Sequence, residues 1–166
     1  MLKFAVDFNG PIALRYPRGE AFDGLEEYRA PVVFGKSEMI FEEEEIALVA
    51  VGSMVKTALA VRELLKSEGR KVTLVNARFV KPIDEELLMR LAQSHLYIVT
   101  MEENVASGGF GEHVREFFSE CPHAQAQVLS FTIPDAYVEH GNVDQLKKEI
   151  GLDAESIAEK IRKQIV

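Results

Sequence analysis

The sequence predicts a three-layer α/β/α fold, with a mostly parallel sheet of about five strands between helices. Short apolar runs of strand length alternate with helix-length stretches over most of the chain. Several of the runs are apolar throughout, as expected of strands buried on both faces. Strands that alternate with helices make right-handed crossovers, which keep neighbouring strands parallel.

The composition is that of an ordinary folded domain. The 166 residues are 47% hydrophobic and 28% charged, and the mean hydropathy is -0.03. No apolar run reaches the roughly 18 residues of a membrane span, and no secretory signal pattern opens the chain. The net charge of -8 opposes binding to nucleic acid or an anionic membrane. With Cys121 as the single cysteine, we expect a cytoplasmic protein without such partners.

Residues 1–30 are predicted to form an arm and linker ahead of a domain at 31–166. An apolar run at 11–14 leads into a segment that holds Pro17, Gly19 and Gly24. Proline and glycine restrict or break helices, so this segment cannot form a long helix. Its apolar end is expected to contact another part of the protein.

The regular pattern begins near residue 32. Residues 32–41 hold two short apolar runs around a turn at 35–37, which predicts a hairpin or strand pair. Residues 42–45 are all glutamate and are expected to form a solvated loop. Residues 46–51 are uniformly apolar and short, which predicts a strand buried on both faces.

A helix is predicted after this strand. Ser53 is expected to cap its N-terminus, and Gly69 to end it. The apolar positions at helical spacing are Met54, Ala58, Val61 and Leu65. A strand then resumes at residues 72–75.

The same order repeats in the second half of the chain. Strands are predicted at 96–100 and 128–131, each between helices. The predicted N-caps of three helices are Asp84, Asn142 and Asp153. The apolar helix positions are Leu87, Leu88 and Leu91; Phe110, Val114, Phe117 and Phe118; Val143, Leu146 and Ile150; and Ile157, Ile161 and Ile165.

Ligands of open α/β sheets bind beyond the carboxyl ends of the parallel strands. The loops predicted to lie there are 52–53, 76–78, 102–111 and 132–141. The segment at 107–111 is rich in glycine and opens a helix. It predicts a tight turn that packs the helix on the strand, with a phosphate site at the helix N-terminus as the alternative.

Four polar residues in these loops are candidates for a site. Glu102, Glu103 and Asn104 are predicted to be structural or to lie at an interface. The alternative is an acid pair for proton transfer, because neighbouring carboxylates drive their pKa values apart. His140 is the histidine best placed to face a partner molecule, with a solvent or helix-start role as the alternative.

Other chemistry finds little support in the sequence. The histidines show no metal-ligand spacing, and Cys121 has no flanking histidine-assisted signature. The G-x-S-x-G elbow of α/β hydrolases is also missing. We therefore predict neither a metal site nor a self-contained hydrolase.

Arg15 and Arg18 lie three residues apart on an extended, proline-containing segment. A guanidinium group can bind a phosphate through two parallel hydrogen bonds. Residue chemistry alone leaves open whether each arginine binds a ligand or forms a salt bridge.

Several strings of this sequence resemble the C-terminal part of the 1-deoxy-D-xylulose-5-phosphate synthase family, within the transketolase superfamily. The resemblance spans essentially the whole chain, and the strings occur in the same order and spacing. They are GPIALRYPRG at 10–19, VNARFVKPIDEELL at 75–88, TMEENVASGGFGEHV at 100–114, IPDAYVEHG at 133–141 and GLDAESIAEKI at 151–161.

The resemblance implies a transferase that condenses pyruvate with glyceraldehyde 3-phosphate, releases carbon dioxide and serves isoprenoid and thiamine biosynthesis. Thiamine diphosphate and Mg²⁺ are the implied cofactors of the full-length enzyme. The implied domain layout makes the arm the tail of a pyrimidine-binding domain and 31–166 the C-terminal domain.

Motifs that hold the cofactor in such enzymes are missing here, so the resemblance predicts an inactive chain that binds no cofactor alone. The rest of the enzyme and a second copy in a homodimer are the expected partners. By the same resemblance Arg15 holds the phosphate of the acceptor substrate, whereas a structural ion pair is favoured for Arg18.

Two alternatives stay open at this point. The chain could be the C-terminal domain of another transketolase-superfamily enzyme, or a free-standing interaction or nucleotide-sensing module. The strings RFVKPID and EENVASGGFG favour the synthase family, and the glycine-rich loop at 108–111 motivates the sensing module.

Overall fold

The computed structural model describes residues 1–16, 22–121 and 124–165. Within them the helices and strands are α1 (Leu2–Asp7), β1 (Glu38–Phe41), β2 (Glu45–Ala50), α2 (Met54–Ser67), β3 (Val72–Asn76), α3 (Glu85–Ser94), β4 (His95–Val105), α4 (Phe110–Ser119), β5 (Gln127–Ile133), α5 (Val143–Glu149) and α6 (Ala154–Gln164). No helix of these residues is long and apolar enough to cross a membrane.

The strands form a five-stranded sheet in the order β1-β3-β2-β4-β5. β1 runs antiparallel to β3, and the other three pairings are parallel. In the centre, Leu48 of β2 lies between Leu74 of β3 and Val99 of β4. The prediction of a mostly parallel sheet of about five strands is confirmed.

Side chains of the central strand alternate between two cores. Ile46, Leu48 and Ala50 face a core that includes α2 and α6. Ala47 and Val49 face the opposite core, which α3 and α4 cover. All five are at most 2% exposed, which explains the uninterrupted apolar run. The three-layer arrangement is confirmed.

Local capping signals identify the starts of three helices. The side chain of Asp84 accepts a hydrogen bond from the Leu87 amide, and Asp153 accepts one from Ser156. Asn142 accepts hydrogen bonds from Asp144 and Gln145. Such caps depend on residues within one turn, so a local pattern is sufficient to predict them.

Ser53 lies at the N-cap of α2, but its side chain makes no capping hydrogen bond. The predicted cap is therefore wrong in its chemistry, although the helix begins where predicted. The hydroxyl instead donates to the carboxylate of Glu103, which is distant in sequence.

The hairpin predicted at 32–41 is also wrong. Only its second half is a strand, and this strand pairs with β3 rather than with the residues before the turn. Phe34 instead stacks on Phe8, with ring centroids 5.1 Å apart. An aromatic contact with the N-terminal segment thus takes the place of strand pairing.

The N-terminal segment contains a six-residue helix, α1, which the prediction of an arm and linker did not include. Phe4 of α1 packs edge-on against Phe79 at 5.8 Å, so the arm contacts the sheet domain. The helix-breaking residues that motivated the prediction, Pro17, Gly19 and Gly24, come later in the sequence than α1. The domain boundary near residue 31 stays a prediction.

Candidate functional site

The candidate site lies at the carboxyl ends of β2 and β4. From β2 the chain continues through α2 to β3 on one side, and from β4 it continues through α4 to β5 on the other. A crevice forms between two neighbouring strands when the chain leaves them in opposite directions. Ligands of open α/β sheets bind in such crevices. Two of the predicted loops, 52–53 and 102–111, begin at this crevice.

A bulge in β4 shapes the crevice. Met101 pairs with Phe131 and Val105 pairs with Ile133, so three residues of β4 oppose one residue of β5. These three residues are Glu102, Glu103 and Asn104. They were predicted to lie in a loop but belong to β4. A bulge breaks the hydrogen-bond ladder and redirects side chains, a common feature beside binding sites.

Glu102 points into the protein and is 3% exposed. Its two carboxylate oxygens accept hydrogen bonds from the amides of Phe110 and Gly111, both at 2.8 Å. These amides form the N-terminus of α4, where backbone dipoles attract negative charge. The carboxylate therefore occupies the place that a phosphate would take in the alternative interpretation of the glycine-rich loop.

Gly109 is required for this arrangement. A Cβ atom there would lie 2.6 Å from the Val105 carbonyl oxygen and 2.8 Å from both carboxylate oxygens of Glu102. The glycine-rich segment thus lets the backbone approach an internal carboxylate. This geometry agrees with the tight turn predicted from the sequence.

Glu103 points the other way and contacts two further elements. Its carboxylate accepts hydrogen bonds from the Ser53 hydroxyl at 2.5 Å and from the Lys147 ammonium group at 2.6 Å. Burial raises the pKa of Glu103, but the hydrogen bonds from Lys147 and Ser53 outweigh it and leave the pKa below its usual value. The side chain is therefore ionised at neutral pH.

Arg15 reaches the same strand end from the N-terminal segment. Its Nη2 atom donates a hydrogen bond to the main-chain carbonyl of Glu103 at 2.9 Å, and the residue is exposed. The structure thus brings together Arg15 and Glu103, two of the residues singled out in the sequence. Arg18 lies outside the described residues.

The other two candidates from the sequence are Asn104 and His140. Asn104 is half-buried in the bulge, and His140 is exposed in the connection between β5 and α5. Their predicted interface role stays a prediction. Lys147 and the hydroxyl role of Ser53 were missed, because both depend on a contact made across the fold.

The described residues do not fit a complete cofactor site for thiamine diphosphate. No three His, Cys, Asp or Glu side chains among them converge to hold a metal ion. The α4 amides, which could have cradled a diphosphate, already bind Glu102.

Comparison with known proteins identifies the relatives of this chain. Residues 35–157 match the family model described as transketolase, C-terminal domain. A 1-deoxy-D-xylulose-5-phosphate synthase of Lachnoclostridium phytofermentans is 53% identical over 99% of this chain and 26% of its own length. The synthase of Clostridium perfringens is 42% identical over 95% of the chain and 25% of its own length. The chain thus spans about a quarter of the length of these curated relatives.

Solved structures agree on the fold. One named "Split gene transketolase, inactive beta4 tetramer" matches 87% of this chain and 46% of its own, with 29% identity and a TM-score of 0.75. A transketolase from Campylobacter jejuni, 15% identical, covers 78% of this chain and 18% of its own with a TM-score of 0.56, which supports the fold alone.

Proposed function

Because this chain belongs to the transketolase C-terminal domain family, we propose that it is the C-terminal part of a thiamine-diphosphate-dependent 1-deoxy-D-xylulose-5-phosphate synthase. The proposed reaction joins pyruvate to glyceraldehyde 3-phosphate and releases carbon dioxide. Two relatives of this name, 53% and 42% identical along nearly the whole chain, support the assignment.

We propose that residues up to about 20 are the tail of a pyrimidine-binding domain and that 31–166 form the C-terminal domain. Thiamine diphosphate and Mg²⁺ would then be held by protein that precedes this part. The length of the curated relatives supports that division, because this chain spans about a quarter of it. The chain alone would be inactive.

Within this function, Arg15 is proposed to hold the phosphate of the acceptor. The observation that carries the assignment is the hydrogen bond from its guanidinium group to the Glu103 carbonyl at the strand end. An arginine side chain has five N–H donors, so one fixed contact leaves the others for a ligand. The placement beside the crevice of β2 and β4 supports a substrate role.

We also propose that the full enzyme is a cytoplasmic homodimer. A split-gene transketolase whose structure is named an inactive tetramer supports the idea that a chain of this kind folds and self-associates without activity. The single cysteine, which cannot form a disulfide within the chain, supports the location.

A chimeric enzyme tests the function. The C-terminal quarter of the Lachnoclostridium phytofermentans synthase is replaced by this chain, and product formation from pyruvate and glyceraldehyde 3-phosphate is measured with thiamine diphosphate and Mg²⁺. We expect turnover by the chimera and none by the isolated chain. A folded, cofactor-binding chimera without turnover would overturn the proposal, as would turnover by the chain alone.

A further inference from the structure

We propose that Glu103 is the positioning residue of this site: it fixes the Arg15 guanidinium through its carbonyl and ties α5 and the start of α2 to the same strand end through its carboxylate. The role in phosphate binding rests on the proposed function. The positioning itself rests on the contacts of Glu103 alone.

The bulge explains why the Glu103 carbonyl can bind Arg15. β2 ends at Ala50, opposite Met101, so it does not run beside Glu103. On the other side, the ladder with β5 is interrupted between Met101 and Val105. The Glu103 carbonyl therefore lies outside the sheet ladder and accepts the hydrogen bond from Arg15.

The carboxylate of Glu103 holds α5, which packs weakly by itself. α5 has seven residues, and none of them is buried. Among the described residues, the contact of Lys147 with Glu103 is the one ion pair or side-chain hydrogen bond from α5 to another element. The Lys147 side chain is 19% exposed and that of Glu103 is 28% exposed, so water screens this pair less than the surface pairs.

The same carboxylate binds Ser53, the N-cap residue of α2. One side chain thus joins a strand end, a helix start and a surface helix, each from a different part of the chain. The negative charge also attracts the Arg15 guanidinium, which is one of the causes that lower the pKa of Glu103. Neutralising Glu103 leaves its carbonyl in place but removes the charge that attracts Arg15 and binds Lys147, so it should loosen both Arg15 and α5.

Nuclear magnetic resonance of the chain tests this role in the variant Glu103→Gln. We expect hydrogen exchange of the α5 amides to accelerate at least about fivefold, as loss of a partly buried charged hydrogen bond implies. The heteronuclear NOE of the Arg15 Nε–Hε group should fall at the same time. Unchanged α5 exchange and an unchanged Arg15 signal would overturn the proposal.

Glu159→Gln is a matched control, because it breaks an exposed glutamate–lysine pair of the same 2.6 Å length within α6. It should change neither readout. If Glu103→Gln does not fold, Lys147→Gln is the replacement test variant. It should accelerate hydrogen exchange of the α5 amides to a similar extent and leave Arg15 ordered. Slow α5 exchange in Lys147→Gln would also overturn the proposal.

Titration with glyceraldehyde 3-phosphate separates the two proposals. If Arg15 and α5 depend on Glu103 but the phosphate shifts no Arg15 signal, the positioning role stands and the phosphate assignment fails. If the phosphate shifts the Arg15 signal in the original chain and in Glu103→Gln alike, and α5 exchange is unchanged, the phosphate assignment stands and the positioning role fails.

Discussion

The carboxylate of Glu102 lies 2.8 Å from the amide nitrogen of Gly111, at the N-terminus of α4. A second oxygen binds the neighbouring amide at the same distance, so both carboxylate oxygens have partners. The protein thus neutralises this helix terminus with its own side chain. The glycine-rich loop next to it therefore builds an internal contact, and the exposed polar groups of the site lie on the other side of β4.

Glu102→Ala is expected to destabilise the chain by about 3 kcal/mol, because two buried amides lose charged hydrogen bonds. Chemical denaturation measures the loss. Glu116→Ala, at an exposed position of the same helix, should change stability by less than about 0.5 kcal/mol. Equal stability of the two variants would contradict the importance of the Glu102 contact.

Gly109→Ala is expected to cost about 2 kcal/mol or more, since the added methyl group meets backbone and carboxylate oxygens inside contact distance. Gly141→Ala is the control, because its Cβ would meet only Leu146, at 3.4 Å or more. Thermal unfolding of both variants gives the comparison. A Gly109→Ala protein as stable as the Gly141→Ala protein would show that the close approach is not needed.

Glu38→Ala should destabilise the chain by about 3 kcal/mol, because it leaves a buried charge without its partner. Arg78 forms an ion pair with Glu38, and their side chains are 11% and 6% exposed. Glu38 also accepts a hydrogen bond from the Ala30 amide, which holds the linker. Glu159→Ala, which breaks an exposed pair, should cost less than about 1 kcal/mol. A similar loss of stability in Glu38→Ala and Glu159→Ala would contradict the importance of the buried ion pair.

Stability should fall as the pH drops below about 6.5, the usual pKa of histidine. Burial lowers the pKa of His95 more than its hydrogen bonds and nearby glutamates raise it. The unfolded chain therefore binds a proton at a higher pH than the folded chain, which favours unfolding below that value. In His95→Gln, the free energy of unfolding measured from pH 8 to pH 5 should no longer fall in this way. If it falls as in the original chain, other groups cause the pH dependence.

A second pH effect is expected at lower pH. The pKa of Glu103 is depressed in the folded chain, so its contacts with Lys147 and Ser53 are fully present above its usual pKa. They are lost as the pH falls through the depressed value. Exchange of the α5 amides, corrected for the intrinsic effect of pH, should accelerate in that range. Glu103→Gln should show no such transition.

The sequence predicts those parts of the fold that depend on local pattern. The apolar run of β2 identifies a doubly buried strand, and Asp84 and Asp153 cap helices as expected from residues one turn away. The end of β4 could not be located in this way. Glu102 is polar, and its burial is stabilised by amides that lie eight and nine residues further along the chain.

The candidate site was predictable only in part. Arg15 and Glu103 are visible from residue type and from the predicted strand ends. Their contact depends on a bulge whose register is set between two strands, and it has no local signature. Serine is a common N-cap residue of helices, yet the Ser53 hydroxyl binds the carboxylate of Glu103, 50 residues away.

The acceptor KM of the chimeric enzyme tests the central assignment, Arg15, most directly. In Arg15→Gln we expect the KM for glyceraldehyde 3-phosphate to rise roughly 10- to 100-fold, because a charged hydrogen bond to the phosphate is lost. The KM for pyruvate should stay the same, as should turnover with unphosphorylated glyceraldehyde. An unchanged KM for glyceraldehyde 3-phosphate would contradict the assignment of Arg15 to the phosphate.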